Sequence, residues 1–349
     1  MAIFLTGSTG FVGGRLLKNL LNDTDQQLFV LVRNMSKGEE LVQTFPEEQQ
    51  KRITLLRGDI TAPEFGLTSS TLSMLQNQIQ TFYHLAAVVK FDDHLRDEIF
   101  SANYDGTKNT LKVAHQLRAK RFVYVSTAYT VGKREKGIEQ LYPIDDDVHN
   151  PYEESKVQSE HLVFDYKEDM EVIIFRPAII VGDSKTGEAD SKFTLYGFMR
   201  ALDVFKRRVA RKHPEATYRL IGDERATSNV VPVDYVANIL ALGATSAKPN
   251  TIYHITNPQP TNNFKSLQFV KDALDFPQLE IIQPHEADDL TETERALNDM
   301  IGVFKPYLTR DFVFDDSNTQ QLIEGTSIDH LSLDDETYRM IIEAYFQAK

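Results

Sequence analysis

The chain begins with Ala2-Ile3-Phe4-Leu5, continues with Thr6-Gly7-Ser8-Thr9-Gly10-Phe11-Val12-Gly13 and then reads Leu16-Leu17-Lys18-Asn19-Leu20-Leu21. This order predicts a buried strand, a glycine-rich turn and an amphipathic helix. Gly7 suits a tight turn, Gly10 lets the main chain approach a ligand, and Gly13 lets the helix pack closely on the strand. The free N–H groups at the start of the helix would face the turn, which suits a pyrophosphate. The position of these glycines between a strand and a helix favours a dinucleotide-binding turn over incidental glycines.

The composition is that of an ordinary globular protein. Of 349 residues, 41% are hydrophobic and 26% charged, and this length accommodates a nucleotide-binding domain and a smaller lobe. No apolar run approaches the ~20 residues that span a bilayer, and a first strand at the N-terminus leaves no room for a signal peptide. The chain has no cysteine, which excludes disulfides and thiolate metal sites and fits a cytoplasmic protein. We predict no metal site, and the net charge of −13 argues against nucleic-acid binding.

Short apolar segments alternate with helical segments over the first half of the chain. The alternation predicts a parallel sheet covered on both faces, which is the doubly wound Rossmann type of α/β fold. Six strands are expected at residues 2–5, 28–32, 53–56, 81–85, 121–125 and 171–175. Helices are expected at residues 103–117 and 151–166.

The pattern changes after Gly182. Residues 183–190 form a polar loop, and residues 193–212 read as a helix, whereas residues 251–255 return as a strand. We therefore predict a dinucleotide-binding domain over 1–182, to which 228–256 return, and a smaller, discontinuous α/β substrate lobe over 183–227 and 257–349. The predicted helix ends in a basic cluster, which we interpret as a solvated face rather than a phosphate-binding arm: Lys206, Arg207, Arg208, Arg211 and Lys212.

A second chemical signal lies in Asn150-Pro151-Tyr152-Glu153-Glu154-Ser155-Lys156. Tyr152 and Lys156 are four residues apart, so a helix places both side chains on one face. A neighbouring ammonium is expected to lower the pKa of the tyrosine, which then serves as general acid or base in a hydride-transfer reaction. The predicted strand at 121–125 ends just before Ser126 and Thr127, so one of these hydroxyls is expected to reach the same substrate oxygen.

Together these features resemble the extended short-chain dehydrogenases/reductases over most of the chain. The resemblance rests on the glycine turn, Asn103, Ser126-Thr127 and the Tyr152-x-x-x-Lys156 pair. Four stretches are similar to the thioester-reductase or fatty-acyl-reductase branch, also called male-sterility-like: residues 83–92, 125–129, 150–156 and 182–188. Sugar-nucleotide epimerases share the first set but usually lack the Gly-Asp-Ser-x-Thr-Gly-Glu run at 182–188.

The resemblance implies roles for individual residues. Thr127, Tyr152 and Lys156 match the catalytic triad of the family, with Ser126 as the reserve for Thr127. Asn103 matches an asparagine that sustains a proton relay or the local helix geometry. The positions that match cofactor-binding residues of the family are Gly7, Thr9, Gly10, Phe11, Val12, Gly13, Asp59, Ile60, Leu85, Ala86, Ala87, Tyr152, Lys156, Pro177, Ile179 and Ile180.

Two further residues bear on this comparison with the family. Val157 stands where reductases of this type often carry an aromatic residue, which leaves the packing of the acyl site open. His84 closes a predicted strand, and we interpret it as a buried core residue rather than a general acid.

The choice of cofactor is predicted from charge. NAD-preferring sites place a carboxylate after the second strand, where it binds the ribose hydroxyls. Here that strand is followed by Arg33-Asn34-Met35-Ser36-Lys37, without a carboxylate. The guanidinium of Arg33 suits a 2′-phosphate, and Lys37 adds positive charge nearby. We therefore expect NADP(H).

Three functions are compatible with these residues. The first is NADPH-dependent reduction of an acyl thioester, or of the aldehyde derived from one, with the acyl group free or carried by a partner. The second is a sugar-nucleotide epimerase or dehydratase, and the third is a non-catalytic dinucleotide sensor. The intact Thr127, Tyr152 and Lys156 weigh against a sensor, and the branch resemblance favours the reductase over the epimerase. Many relatives dimerise through two helices, so a homodimer is also among the expectations.

The substrate wall is predicted from the order of the chain. Residues 183–193 begin where the sixth strand ends, and open α/β sheets bind ligands at the carboxyl ends of their strands. We expect this segment and the next helix to form an apolar wall beside Tyr152 from Phe193, Leu195, Tyr196, Phe198 and Met199. An epimerase would instead turn arginines such as Arg200 and Arg225 inward, toward a diphosphate.

Overall fold

A computed structural model describes residues 1–189, 194–209 and 215–347. Its strands are β1 (Ala2–Thr6), β2 (Gln27–Val32), β3 (Ile53–Arg57), β4 (Ile79–His84), β5 (Arg121–Val125), β6 (Lys136–Gly137), β7 (Glu171–Pro177), β8 (Ile179–Val181), β9 (Tyr218–Ile221), β10 (Thr227–Ser228), β11 (Val230–Pro232), β12 (Thr251–Ile255), β13 (Thr261–Asn262), β14 (Leu279–Ile282) and β15 (Val313–Phe314). Its α-helices are α1 (Phe11–Asp23), α2 (Met35–Gln43), α3 (Glu47–Gln50), α4 (Ser69–Leu75), α5 (Arg96–Phe100), α6 (Gly106–Gln116), α7 (Pro151–Phe164), α8 (Leu195–Val209), α9 (Val233–Ala241), α10 (Asn263–Ala273), α11 (Glu292–Met300), α12 (Lys305–Leu308), α13 (Ser317–Ile323) and α14 (Asp335–Gln347).

Seven parallel strands form the central sheet in the order β12-β7-β5-β4-β1-β2-β3. After β3 the chain crosses from one side of β1 to the other, so β1 and β4 are neighbours at the point where the strand order reverses. In open α/β sheets this point is where ligands bind. The predicted doubly wound Rossmann fold is confirmed, with small shifts at the strand ends.

Alternate residues of β1 enter two different cores. Ile3 and Leu5 pack with the helix α1 on one face of the sheet, whereas Phe4 faces the other side. The Phe4 ring stacks on Phe82 at 4.5 Å, and Phe82 stacks on Phe122 at 5.6 Å. Apolar side chains on both faces explain why these strands read as continuous hydrophobic runs in the sequence.

A third core lies outside the central sheet. It brings together α8, α10, α11 and α14 with the parallel pair β9 and β14. We call this part of the molecule the C-terminal lobe. It uses segments before and after β12, as a discontinuous lobe requires, while the domain boundaries given above stay a prediction.

The basic cluster on α8 lies partly within the described residues. Lys206 donates to the Leu274 carbonyl at 2.5 Å, and Arg207 pairs with Asp203 at 2.7 Å. Arg208 is exposed, and Arg211 and Lys212 lie outside the described residues. In the part of the chain that the structure describes, no helix combines the length and apolarity needed to cross a membrane. A cytoplasmic location and a homodimer stay predictions.

The loop at residues 182–188 joins the sheet to the last helix. Gly187 has φ +69°, and a Cβ there would lie 2.6 Å from the Cβ of Ala344 on α14. Arg15 of α1 reaches the same loop through Asp183 at 3.3 Å. The motif at residues 182–188 therefore lies in contact with both α1 and the C-terminal helix α14.

Candidate active site

The glycine turn between β1 and α1 leaves no room for side chains. Gly7 has φ +80°, and a Cβ on it would lie 2.6 Å from the Ala86 nitrogen. A Cβ on Gly13 would lie 2.2 Å from the Gly7 carbonyl oxygen. Gly10 precedes α1 and makes no side-chain cap, so the first N–H groups of the helix are left for a ligand. This cradle fits the pyrophosphate of a dinucleotide.

A cavity of about 390 Å³ lies beside this turn, at the carboxyl ends of β1, β2, β3 and β4. We call it the nucleotide cavity. It is lined by Thr6, Gly7, Thr9, Gly10, Leu31, Val32, Arg33, Asn34, Lys37, Gly58, Asp59, Ile60, Thr61, Leu85, Ala86, Ala87, Val88 and Ala102. The structure thus brings the sequence-predicted adenosine-side residues together.

Positive charge dominates one wall of the nucleotide cavity. Arg33 and Lys37 are both exposed, and within residues 1–189, 194–209 and 215–347 neither forms an ion pair. The carboxylate of Asp59 is already engaged, because it accepts from the backbone N–H and the hydroxyl of Thr61, both at 2.9 Å. The wall therefore offers free cations to an added phosphate.

A second cavity, of about 230 Å³, continues from the same glycine turn toward β5 and α7. We call it the catalytic cavity. It is lined by Gly7, Gly10, Phe11, Val12, Gly13, Leu85, Ala87, Val89, Phe91, Val125, Ser126, Thr127, Tyr129, Tyr152, Lys156, Pro177, Ala178, Ile179, Ile180, Thr194 and Tyr307. The two cavities share Gly7, Gly10, Leu85 and Ala87, so one elongated molecule can occupy both.

Tyr152 and Lys156 project from the first turns of α7. Asn150 caps this helix by accepting from the Glu153 N–H at 3.0 Å, and Pro151 occupies the first helical position. The Lys156 ammonium donates to the Val125 carbonyl at 2.8 Å and to the Tyr124 hydroxyl at 3.2 Å. Burial lowers the pKa of Lys156 to about 7, against a smaller opposing effect of Glu160.

The expectation that Lys156 lowers the pKa of Tyr152 is wrong for this structure. Burial raises the pKa of Tyr152 well above its usual value, and the Glu153 carboxylate raises it further. The Lys156 ammonium lies 6.0 Å from the centre of the Tyr152 ring and is directed at the end of β5. A phenol in this state keeps its proton at neutral pH, which is what a proton donor requires.

Two hydroxyl-bearing residues follow β5 directly and line the catalytic cavity. Thr127 Oγ1 accepts from the Tyr129 N–H at 3.3 Å, which leaves its own proton for a ligand. Ser126 Oγ is buried and lacks a hydrogen-bond partner among the described residues. Ser126, Thr127 and Tyr152 therefore line the same cavity.

Asn103 lines neither cavity. Its side chain accepts from the Val88 N–H at 2.7 Å and donates to the Val88 carbonyl and the Ser155 hydroxyl, both at 3.0 Å. It lies in a π-helical turn over Ser101–Asp105 that interrupts the helix predicted over 103–117. Asn103 thus fastens the loop after β4 to the catalytic helix α7, which favours the geometric role over the proton relay.

His84 is a core residue. It is fully buried and contacts the Thr6 hydroxyl at 2.8 Å and the Thr107 hydroxyl at 3.1 Å. Burial lowers the pKa of its imidazole to about 3. The imidazole is neutral at physiological pH, in agreement with the prediction.

Sequence reasoning missed an aromatic group around Tyr152. The Phe91 ring lies 5.8 Å from both the Tyr152 and the Tyr307 ring centres. The Tyr307 hydroxyl donates to the fully buried Glu153, and Asn150 donates to Tyr307 at 2.9 Å. Phe91 lies within residues 83–92, which resemble the thioester-reductase branch. Tyr307 follows Glu153 by 154 residues, and no local sequence pattern predicts their contact.

A third, narrow cavity of about 60 Å³ extends into the C-terminal lobe. We call it the inner cavity. It is lined by Ile179, Thr194, Leu195, Phe198, Leu220, Ile221, Gly222, Ser228, Val230, Asn263, Phe264, Ser266, Leu267, Val270, Ile281, Phe304, Tyr307, Leu308 and Tyr338. Ile179, Thr194 and Tyr307 also line the catalytic cavity, so the two spaces adjoin.

The predicted apolar wall needs correction. Leu195 and Phe198 line the inner cavity, but Tyr196 and Met199 point into the core of the lobe. The Tyr196 hydroxyl accepts from the Gly182 N–H at 2.7 Å, which ties α8 to β8. Leu195 and Phe198 thus lie on a different face of α8 from Tyr196 and Met199. Phe193, the fifth predicted wall residue, lies outside the described residues.

The arginines that a nucleotide sugar would need do not converge on the site. Arg200 and Arg225 are exposed and line neither the catalytic nor the inner cavity. Over the described ranges, Lys156 is the one cation on the walls of these two spaces.

The chain is similar in sequence to a peptide synthase component and to a protein named as a fatty acyl-CoA reductase. It is 27% identical to a component protein of the linear gramicidin synthase of Brevibacillus parabrevis over 75% of this chain and 5% of that protein. It is 25% identical to the fatty acyl-CoA reductase wat of Drosophila melanogaster over 69% of this chain and 53% of that protein. The chain thus spans about half or less of the length of these curated relatives.

The fold agrees with a solved reductase domain. The terminal R domain from the myxalamid PKS-NRPS biosynthetic pathway superposes with a TM-score of 0.80 at 24% identity, over 99% of this chain and 90% of that one. An NAD-binding family model described as male sterility protein matches residues 5–240. The chain therefore belongs to the male sterility protein family, the thioester-reductase-like branch of the extended short-chain dehydrogenases/reductases.

Proposed function

We propose that this protein uses NADPH to reduce an acyl thioester, or the aldehyde derived from one. One observation carries the proposal: the hydroxyl-bearing residues Ser126, Thr127 and Tyr152 line one cavity that joins a dinucleotide cradle to an apolar space. The relatives named as a fatty acyl-CoA reductase and a terminal reductase domain support the same chemistry.

The residues of the catalytic cavity divide the chemistry among them. When bound, the nicotinamide cofactor supplies a hydride to the carbonyl carbon. Tyr152 donates its phenolic proton to the carbonyl oxygen, and Thr127 stabilises the negative charge that develops there, with Ser126 as a second candidate donor. With a thioester the carbon–sulfur bond then breaks, which yields the aldehyde and the thiol.

Lys156 serves the cofactor side of the reaction. Its ammonium already holds the end of β5 through the Val125 carbonyl and lies on the catalytic cavity wall. It would bind the ribose hydroxyls of the nicotinamide half, and the oxygens it meets there favour its charged form. Replacement of Lys156 by alanine should therefore weaken both cofactor binding and the rate.

Charge supports NADPH over NADH. The exposed guanidinium of Arg33 and the ammonium of Lys37 share the nucleotide cavity with Asp59, whose carboxylate is held by Thr61. A 2′-phosphate would supply the missing anion and meet a charge-assisted hydrogen bond from Arg33.

The test is a substrate panel followed by NADPH oxidation. Acyl-CoA thioesters of increasing length and a long-chain aldehyde should be reduced, with kcat/KM rising by at most about fourfold per methylene as the apolar wall is covered. UDP- and GDP-sugars should not react, because the described arginines stay outside the site. Turnover of a nucleotide sugar without thioester reduction would contradict the proposal and favour the epimerase.

A further inference from the structure

The inner cavity continues the catalytic cavity into the C-terminal lobe. Ile179 and Tyr307 belong to both, so a chain attached to a carbonyl beside Tyr152 has a route inward. Leu267, Val270 and Phe304 are among the residues that make the wall of the inner cavity apolar, as an acyl chain requires.

Most polar side chains on this wall are satisfied by the protein itself. Asn263 donates to the carbonyls of Tyr307 at 3.2 Å and Leu308 at 3.1 Å, and it accepts from the Ser228 hydroxyl. The Tyr307 hydroxyl is held between Glu153 and Asn150. These groups have no need of a ligand.

Ser266 and Tyr338 differ from those groups. They come from α10 and α14, their side chains line the inner cavity, and Tyr338 is 0% and Ser266 7% exposed. Neither hydroxyl bonds to any other group in the part of the chain that the structure describes, although the two lie within reach of each other. Even if the two shifted to bond each other, one of their two O–H donors would stay unused. A buried O–H without an acceptor destabilises the fold, so an unused donor on a residue that lines an apolar cavity points to a ligand oxygen.

We propose that the substrate's acyl chain enters the inner cavity and carries an oxygen function, a hydroxyl or carbonyl, that accepts a hydrogen bond from Ser266 or Tyr338. This inference rests on the proposed function, since it names the class of acyl group that the reductase accepts. Plain alkyl chains would fill the apolar part of the cavity but leave at least one of these two O–H donors without an acceptor. The site would therefore select oxygenated acyl groups over saturated ones of equal length.

The test compares dodecanoyl-CoA with a positional series of hydroxydodecanoyl-CoA and oxododecanoyl-CoA thioesters. At least one oxygenated isomer should exceed dodecanoyl-CoA in kcat/KM by about tenfold, the effect of one well-placed buried hydrogen bond. In the double variant Ser266→Ala/Tyr338→Phe this ratio should fall to near one. Thr81→Val is the matched control, because Thr81 Oγ1 is another buried, unpartnered hydroxyl but lies on none of the cavities described above, and its ratio should stay that of the parent.

Binding separates this inference from the proposed function. The same acyl groups, attached to pantetheine, should raise the melting temperature more when oxygenated, and the double variant should abolish that difference. A binding difference without any thioester reduction would overturn the proposed function and retain the oxygen-selective cavity. Equal binding and equal kcat/KM across the series, or a preference that survives in the double variant, would overturn the inference.

Discussion

The glycine turn and the inner cavity are built in opposite ways. The turn uses seven consecutive residues, from Gly7 to Gly13, and makes its space by the absence of a Cβ at Gly7, Gly10 and Gly13. The inner cavity collects side chains from residues as distant as Ile179 and Tyr338 and makes its space by apolar packing. Cofactor binding therefore depends on the backbone of one short segment. The choice of substrate depends on side chains that only the folded chain brings together, so it can change without altering the cofactor site.

The largest effect should come from placing a side chain in the turn. In Gly13→Ala the new Cβ would lie 2.2 Å from the Gly7 carbonyl oxygen, so the backbone must move and NADPH binding should be lost. Fluorescence titration with NADPH measures this. Gly302→Ala is the control in the lobe, because its Cβ meets nothing within 4 Å, and it should bind NADPH like the parent. If Gly13→Ala binds NADPH as tightly as the parent, the glycine turn does not determine cofactor binding.

The second-largest effect should come from the removal of the proton donor, Tyr152, which lies in the catalytic cavity. Tyr152→Phe keeps the ring that packs against Phe91 but removes the phenolic oxygen. We expect kcat to fall by about 100- to 10,000-fold while the Kd for NADPH stays unchanged. Steady-state rates and titrations on the same preparation check both. A variant with near-parental kcat would remove Tyr152 from the mechanism.

A smaller, cofactor-selective effect is expected at Arg33. If its charge-assisted bond to a 2′-phosphate contributes about 1.5–3 kcal/mol, Arg33→Ala should lose about 10- to 150-fold in NADPH affinity. NADH affinity should hardly change, since NADH lacks this phosphate. Equal losses of affinity for both cofactors, or tighter binding of NADH than of NADPH by the parent, would show that Arg33 does not bind a 2′-phosphate.

The smallest effect concerns the pH dependence of stability. Burial lowers the pKa of Lys156 from 10.5 to about 7, so the unfolded chain binds more protons than the native state between these values. The free energy of unfolding of the parent should therefore rise with pH from 7 to 10.5 relative to Lys156→Met, by at most about 1.4 kcal/mol per pH unit. Below pH 7 the difference in the free energy of unfolding between the parent and Lys156→Met should be constant. Urea titrations at several pH values test this, and a flat difference from pH 7 to 10.5 would contradict it.

The sheet and the glycine turn were predictable because their constraints are local. Six apolar runs gave six strands, and the glycine spacing encodes contacts such as Gly13 against the Gly7 carbonyl. The π-helical turn at Ser101–Asp105 escaped prediction because Asn103 bonds to Val88 and Ser155, which only the folded chain brings near.

The spacing of Tyr152 and Lys156 in the sequence identified them as candidate catalytic residues, but it did not predict their pKa values. Four-residue spacing placed Tyr152 and Lys156 on one face of α7, yet the pKa of Tyr152 depends on burial, which the sequence does not show. Similarly, α8 was predicted to line the substrate space, while the faces that carry Leu195 and Tyr196 could not be assigned without the lobe packed behind them. Tyr307 reaches Glu153 only through tertiary structure.

The most direct measurement of the central claim follows the hydrogen itself. NADPH that carries deuterium in place of both C4 hydrogens is incubated with an acyl-CoA thioester, and the product is analysed by mass spectrometry. We expect one deuterium on the former carbonyl carbon for each reduction step in the parent protein and almost none from Tyr152→Phe in the same time. A reduced product without deuterium, or no reduction of any thioester or aldehyde, would contradict it.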